Sequence, residues 1–189
     1  MSYYKRLAGK KVYLSPICTG EIDTYMKWMN DAEVLKYTGQ YSRIYSQELE
    51  VEALERLAKD GNHFAIIEME TDKLIGGCSF FAIDQLNRKA EVGIMIGEKD
   101  YWSKGYGRDA LQVLLKYGFT VRNYNNICLR VDSFNARGIA CYEKAGFKRQ
   151  GVMREAVIRG NERHDLIYMD ILASEYFEAK VSEESNSVK

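Results

Sequence analysis

Apolar and polar residues alternate along Lys11-Val12-Tyr13-Leu14-Ser15, which predicts a first strand. Beyond Thr19 and Gly20, one of which is expected to cap a helix, Ile22, Tyr25, Met26 and Met29 follow at helical spacing. Ser46 opens a second helix with Leu49, Ala53, Leu54 and Leu57 on one face, and Asp60-Gly61 ends it. His63 to Met69 reads as a strand, Thr71-Asp72-Lys73 as a hairpin turn, and Leu74 to Ile83 as the returning strand. Asn87-Arg88 turns the chain again into a strand from Glu91 to Ile96. A helix is expected from Asp109 to Thr120, burying Leu111, Leu114, Leu115 and Gly118 or Phe119. Ile127 to Val131 is a strand, and Asn135 to Ala145 a helix closed by Gly146 in the left-handed cap position. Lys148 to Arg159 and Leu166 to Leu172 form a last hairpin across Gly160-Asn161-Glu162. Strands crowd the middle and helices cross between them, so the fold class is α+β, with a twisted, mostly antiparallel sheet and helices on its faces.

Composition narrows the class. Of 189 residues, 46% are hydrophobic and 29% charged, the balance of a globular domain. One domain over 1–178 is expected, with 179–189 a polar, frayed tail. Lys+Arg and Asp+Glu are 27 each, so no overall field draws nucleic acid or an anionic membrane, and neither partner is expected. No stretch approaches the ~20 apolar residues of a bilayer span. Cys18, Cys78, Cys128 and Cys141 lie in apolar runs without metal-ligand spacing, and His63 and His164 are the only histidines. No metal site is therefore expected, and reduced thiols fit a cytoplasmic location.

Two runs carry candidate chemistry. The first is Trp102-Ser103-Lys104-Gly105-Tyr106-Gly107-Arg108, a glycine-bearing loop between a strand and a helix. The first N–H groups of a helix have no intrahelical partner, and the helix dipole places partial positive charge there. Glycines let backbone approach a bulky anion, and Lys104 and Arg108 add charge, which makes a phosphate-binding turn. A plain turn is the competing reading. The P-loop ending Gly-Lys-Ser/Thr is absent, and the third glycine of the dinucleotide fingerprint is Ala110. No acidic residue ends a second strand about 20 residues on, which disfavours a nucleotide-dependent oxidoreductase. The second run is Asp132 to Phe147, where Asn135 and Tyr142 are seven apart and share one helix face. A tyrosine hydroxyl there can donate a proton to a leaving thiolate; a capping Asn with a packed Tyr is the alternative.

Both runs, in this order, resemble those of the GNAT superfamily of N-acetyltransferases. The family's pyrophosphate loop, Arg/Gln-x-x-Gly-x-Gly/Ala, is met by Lys104 to Arg108, and its Asn…Tyr-Glu-Lys-x-Gly-Phe element by Asn135 to Phe147. Asn87 to Gly93 and the ending Arg154-Glu155…His164-Asp165-Leu166…Glu175-Tyr176 resemble the ribosomal-protein (Rim-type) branch. Two departures stand out: Trp102 replaces the usual Arg/Gln, and Gly138 a small Ser/Ala.

The resemblance implies a GNAT fold, with the sheet splayed between the fourth and fifth expected strands. It implies that pantetheine of acetyl-CoA, the cosubstrate, bonds the backbone of Ile94 and Ile96. The diphosphate then lies on the amides of Ser103, Lys104, Gly105, Tyr106, Gly107 and Arg108, and Asn135 contacts the pantetheine arm. Tyr142 is then the general acid. Glu91 is the candidate general base, acting through water, with a salt bridge to Arg88 or Lys89 as its alternative role. His164 is the second candidate base. Cys141 has no basic partner in sequence and is read as a packed thiol. The expected function is direct transfer of acetyl to a primary amine, of a protein N-terminus or of a small molecule such as a polyamine. A non-catalytic acyl-CoA sensor is the other class. Tyr37, Tyr41 and Tyr45 are candidates for the acceptor side or for a homodimer interface.

Overall fold

The computed structural model describes residues 3–187. In chain order these form β1 (Leu7–Ala8), β2 (Val12–Pro16), α1 (Ile22–Met29), α2 (Ala32–Leu35), α3 (Gln47–Asp60), β3 (His63–Glu68), β4 (Leu74–Asp84) and β5 (Lys89–Ile96). There follow α4 (Tyr106–Thr120), β6 (Asn126–Asp132), α5 (Ala136–Ala145), β7 (Lys148–Arg159), β8 (Glu162–Leu172) and α6 (Ala173–Ser187). Strand neighbours run β1-β2-β3-β4-β5-β6-β8-β7. The ladders β1–β2, β2–β3, β3–β4, β6–β8 and β7–β8 are antiparallel, as expected of a mostly antiparallel sheet, although β2 is buried continuously over Val12–Ser15 and does not alternate. β5 and β6 pair in parallel through Lys89↔Asn126, Ala90↔Ile127 and Glu91↔Cys128. This short ladder joins the two strands expected to splay; β1 adds one to the expected strand count.

Contacts cluster in two compact units, one comprising residues up to Phe80 with Gly93–Leu114, the other Phe81–Val92 with the chain from Leu115 onward. In the first, Tyr13, Tyr25, Trp28, Val34, Leu54, Ala65, Ile67 and Leu74 form a core. Each large side chain buried this way stabilises by about 1.5–3 kcal/mol. Ser46 caps α3, its hydroxyl accepting the Leu49 N–H at 3.2 Å, as the sequence predicts. In the second unit β6 alternates buried Ile127, Leu129 and Val131 with outward residues, and Phe119 of α4 packs on Tyr176 of α6 at 4.9 Å.

Four differences from the sequence reading have physical causes. Helix α1 begins after a 3-10 turn over Thr19–Glu21, so neither Thr19 nor Gly20 caps it. Helix α4 starts at Tyr106, three residues early, because the Gly105 carbonyl already accepts the Asp109 N–H at 3.0 Å. The polar stretch from 179, expected to fray, continues α6 to Ser187. The Ser182 and Ser185 hydroxyls there donate to the carbonyls of Glu178 and Val181, at 3.0 and 2.8 Å; residues 188–189 of that stretch lie outside the described residues. Finally, Leu49 of α3 is 42% exposed and Glu50 4%, so Glu50 takes the inward place read for Leu49, while Leu54 is buried and Ala53 and Leu57 are half-buried on the expected face. No helix among the described residues is long and apolar enough to cross a membrane.

Candidate active site

In the first unit the segment after β5 is held rigidly. Glu98, 7% exposed, accepts from Lys27 Nζ (2.9 Å), Trp28 Nε1 (2.9 Å) and Lys73 Nζ (2.7 Å). Burial alone would raise its carboxyl, but these hydrogen bonds outweigh it and bring the pKa down to about 2. The chain then turns through Lys99–Tyr101 into the glycine loop.

Three residues shape that loop. Trp102 donates its indole N–H to the Ile96 carbonyl at 2.6 Å, fastening the loop to the end of β5. This is what the tryptophan contributes at the position where the sequence resemblance expects Arg or Gln. Ser103 and Gly105 both have positive φ, +59° and +87°. Alternation into the left-handed region turns successive N–H groups toward one concavity, the geometry that binds anions. At Ser103 that conformation costs roughly 1–2 kcal/mol, a cost glycine avoids at 105.

Asp109, 9% exposed in the first turn of α4, was not singled out by the sequence. Its carboxylate accepts three backbone N–H groups, from Lys10 (3.1 Å), Lys11 (2.8 Å) and Val12 (3.0 Å). A Cβ on Gly9 would stand 2.4 Å from Asp109 Oδ2, so only glycine lets the strand come this close. Lys11 Nζ in turn donates to the Lys104 carbonyl at 2.9 Å and lies 5.0 Å from the Tyr106 ring. A cation is thus fixed beside the loop, in addition to exposed Lys104 and Arg108. Nothing local in sequence links position 11 to position 104, so pattern reading missed both Asp109 and Lys11.

The residues in this unit fit a diphosphate: a turn with two left-handed residues, a helix N-terminus, and three lysine or arginine side chains. Ile94 and Ile96 lie in the same unit on β5, beyond its ladder with β6. The Ile96 carbonyl is engaged by Trp102, so a ligand strand would meet this residue through its N–H.

The second unit carries Glu91, Asn135, Tyr142 and His164. Asn135 caps α5, its side-chain oxygen accepting the Gly138 N–H at 2.9 Å. A Cβ at 138 would come within 2.5 Å of Asn135 Nδ2, so the glycine that departs from the family pattern accommodates this cap. The capping role left open by the sequence is therefore present. Tyr142 packs edge-on against Phe147 at 6.1 Å, and its carbonyl accepts the Phe147 N–H at 3.0 Å beyond the left-handed Gly146. Burial, and secondarily Cys141, pushes the Tyr142 hydroxyl up, so it holds its proton throughout the neutral range. Glu91 pairs with neither Arg88 nor Lys89, the two partners suggested by adjacency. Its Oε1 accepts from Arg130 Nε at 2.7 Å, one strand across, while Arg88 bonds the carbonyl and side chain of Asn123. His164 Nε2 lies 3.3 Å from Glu162 Oε2, and its ring is tilted at 58° against Phe134 with centroids 4.6 Å apart. Cys141 forms no disulfide and is half-buried. Asp132 ends β6, the strand after the glycine loop and α4, so the acidic strand end that the sequence reading held to be missing is present. Burial raises its carboxyl against the opposing pull of Arg159, whose guanidinium stands 3.0 Å away. Among the described residues no cluster of His, Cys, Asp and Glu has the arrangement of a metal site.

Comparison with known proteins agrees with this geometry. Residues 11–148 match the Acetyltransferase (GNAT) domain. The N-acetyltransferase p20 of Bacillus licheniformis, itself uncharacterised, is 31% identical over 92% of this chain and 97% of its own. The spermidine N(1)-acetyltransferase of Escherichia coli is 30% identical over 89% of this chain and 90% of its own. Among solved structures, spermidine N-acetyltransferase from Vibrio cholerae in complex with CoA and spermine superposes with a TM-score of 0.78, covering 88% of this chain and 98% of the other at 24% identity. Loop, helix cap and strand order thus coincide with a family match over most of the sequence, and the chain belongs to the GNAT acetyltransferases.

Proposed function

We propose that the protein transfers the acetyl group of acetyl-CoA to a primary amine of a small, polyamine-like acceptor. The observation that carries this reading is the loop from Trp102 to Arg108, braced by Asp109 and Lys11 and opening onto the N-terminus of α4. The backbone amides of Ser103 to Arg108 would hold the diphosphate, with Lys11, Lys104 and Arg108 supplying charge, and the backbone of Ile94 and Ile96 would bind the pantetheine. Asn135 fixes the start of α5 and with it the placement of Tyr142. The spermidine acetyltransferases among the relatives favour a small amine over a protein N-terminus.

The chemistry requires a neutral amine, because an ammonium has no lone pair. Glu91 is the assigned base, taking the ammonium proton through water; its pairing with Arg130 orients the carboxylate but occupies one oxygen. The nitrogen lone pair then forms the N–C bond to the acetyl carbon, the C–S bond breaks, the sulfur takes the proton of the Tyr142 hydroxyl, and the surplus nitrogen proton released as the amide forms returns through water to the Tyr142 phenolate. A backbone N–H of β5 stabilises the developing oxyanion.

The test is an amine panel followed by free-thiol release. Spermidine should release thiol well above the no-amine background, and more efficiently than a peptide with a free N-terminus. Preference for the peptide would move the acceptor to the protein class. Binding of acetyl-CoA with no release from any amine would leave a coenzyme sensor and end the enzyme reading.

A further inference from the structure

The parallel ladder between β5 and β6 ends at Glu91↔Cys128. On β6, Ile127, Leu129 and Val131 are buried, so Cys128, Arg130 and Asp132 share the opposite face. Arg130 therefore stands two residues, about 6.6 Å along the strand, past the rung that holds Glu91. It does not meet the carboxylate square on but reaches back to it, Nε donating to Oε1 at 2.7 Å. Among the described residues, the other guanidinium N–H groups donate to no protein atom, and Glu91 Oε2 accepts no hydrogen bond. The Glu91 side chain is confined, 14% exposed, whereas that of Arg130 is 48% exposed. Tyr168 of β8 faces Arg130 in register from the other side. The guanidinium holds its charge more firmly than usual, first because of this one bond to Glu91.

An arginine that meets a carboxylate as a fork occupies both of its oxygens. A single bond from Nε occupies one, and the planar guanidinium gives that bond a fixed direction. We infer that Arg130 is a positioning residue for acetyl transfer: by holding Oε1 of Glu91 it presents Oε2 as the oxygen that takes the amine proton through water. The inference rests on Glu91 as the base and goes beyond it, because it assigns the two carboxylate oxygens different work. Arg130 itself touches neither acceptor nor coenzyme in this scheme and acts through Glu91.

Turnover of spermidine and acetyl-CoA in Arg130→Gln, Arg130→Lys, Glu91→Gln and the double variant tests this. Arg130→Gln should lower kcat about tenfold, the cost of a misaimed base, with the KM for acetyl-CoA unchanged. Arg130→Lys keeps a cationic donor and should recover part of the loss. In the Glu91→Gln background, Arg130→Gln should cost less than about twofold more, since a residue that acts through Glu91 then has nothing to aim. A natural kcat in Arg130→Gln, or an undiminished tenfold loss in the Glu91→Gln background, would overturn the inference. The base assignment fails by a different result, a natural kcat in Glu91→Gln, and takes the role of Arg130 with it. The pair can also be read without turnover: in nitrogen–proton NMR the Arg130 Nε–H signal should be sharp at neutral pH and shift or vanish in Glu91→Gln. An Nε–H signal indifferent to Glu91→Gln would overturn the pair even if no amine released thiol.

Discussion

Tyr142 and Asp109 show how differently single residues enter this protein. Tyr142 is a raised, protonated hydroxyl on a well-capped helix, legible from its spacing to Asn135 and from the motif around it. Replacing it with Phe should lower kcat by about a hundredfold or more, the range of one acid catalyst, with the acetyl-CoA Kd unchanged by calorimetry. Equal turnover would remove it from the reaction. Asp109 lies outside any motif, yet three backbone N–H groups converge on its carboxylate. Asp109→Ala leaves those donors without an acceptor, at about 1–3 kcal/mol for each one that stays buried. Thermal melts should show a clearly lower Tm and calorimetry weaker acetyl-CoA binding, with both returning partway in Asp109→Asn.

At the scale of elements, regular spacing was read correctly wherever burial followed hydrophobicity. Helix α4 buries Leu111, Leu114, Leu115 and Phe119 as its period requires, and the β7–β8 hairpin turns at Gly160. The failures are of two kinds. Helix α2 has four residues and β1 two, too short for any period to register. Helix α3 buries Glu50 and exposes Leu49 against its own pattern. The site divides similarly: glycines and the Asn–Tyr spacing were visible, whereas Lys11, Asp109 and the Arg130 partner of Glu91 depend on contacts between distant positions. The loop offers its own test. Gly105 has φ +87°, so Gly105→Ala must strain or reshape the turn. The acetyl-CoA KM should rise severalfold, and kcat at saturating coenzyme should change little. An unaltered KM would separate the turn from coenzyme binding.

For the molecule as a whole, Glu98 contributes one defined part of the acid response, beside other lowered carboxyls such as Asp31 and Glu68. Glu98 has a folded pKa of about 2 against an ordinary 4.5, so the unfolded chain binds its proton more readily. The stability it contributes is present above pH 4.5 and is lost as pH falls from there toward 2. The shift corresponds to roughly 3 kcal/mol. Melts between pH 7 and pH 3 should therefore steepen below pH 4.5, and Glu98→Gln should be less stable at pH 7 with a shallower acid slope. Parallel slopes in the two proteins would assign the acid response elsewhere.

The clasp between Asp109 and the strand at Lys11 joins positions 98 apart in sequence. During synthesis the amino-terminal strand must wait for nearly a hundred further residues to emerge before its amides find their acceptor. The glycine loop then settles late, because a contact that closes so long a stretch forms late. Coenzyme added to refolding protein would act mainly as a brake on unfolding, leaving the rate of folding almost untouched.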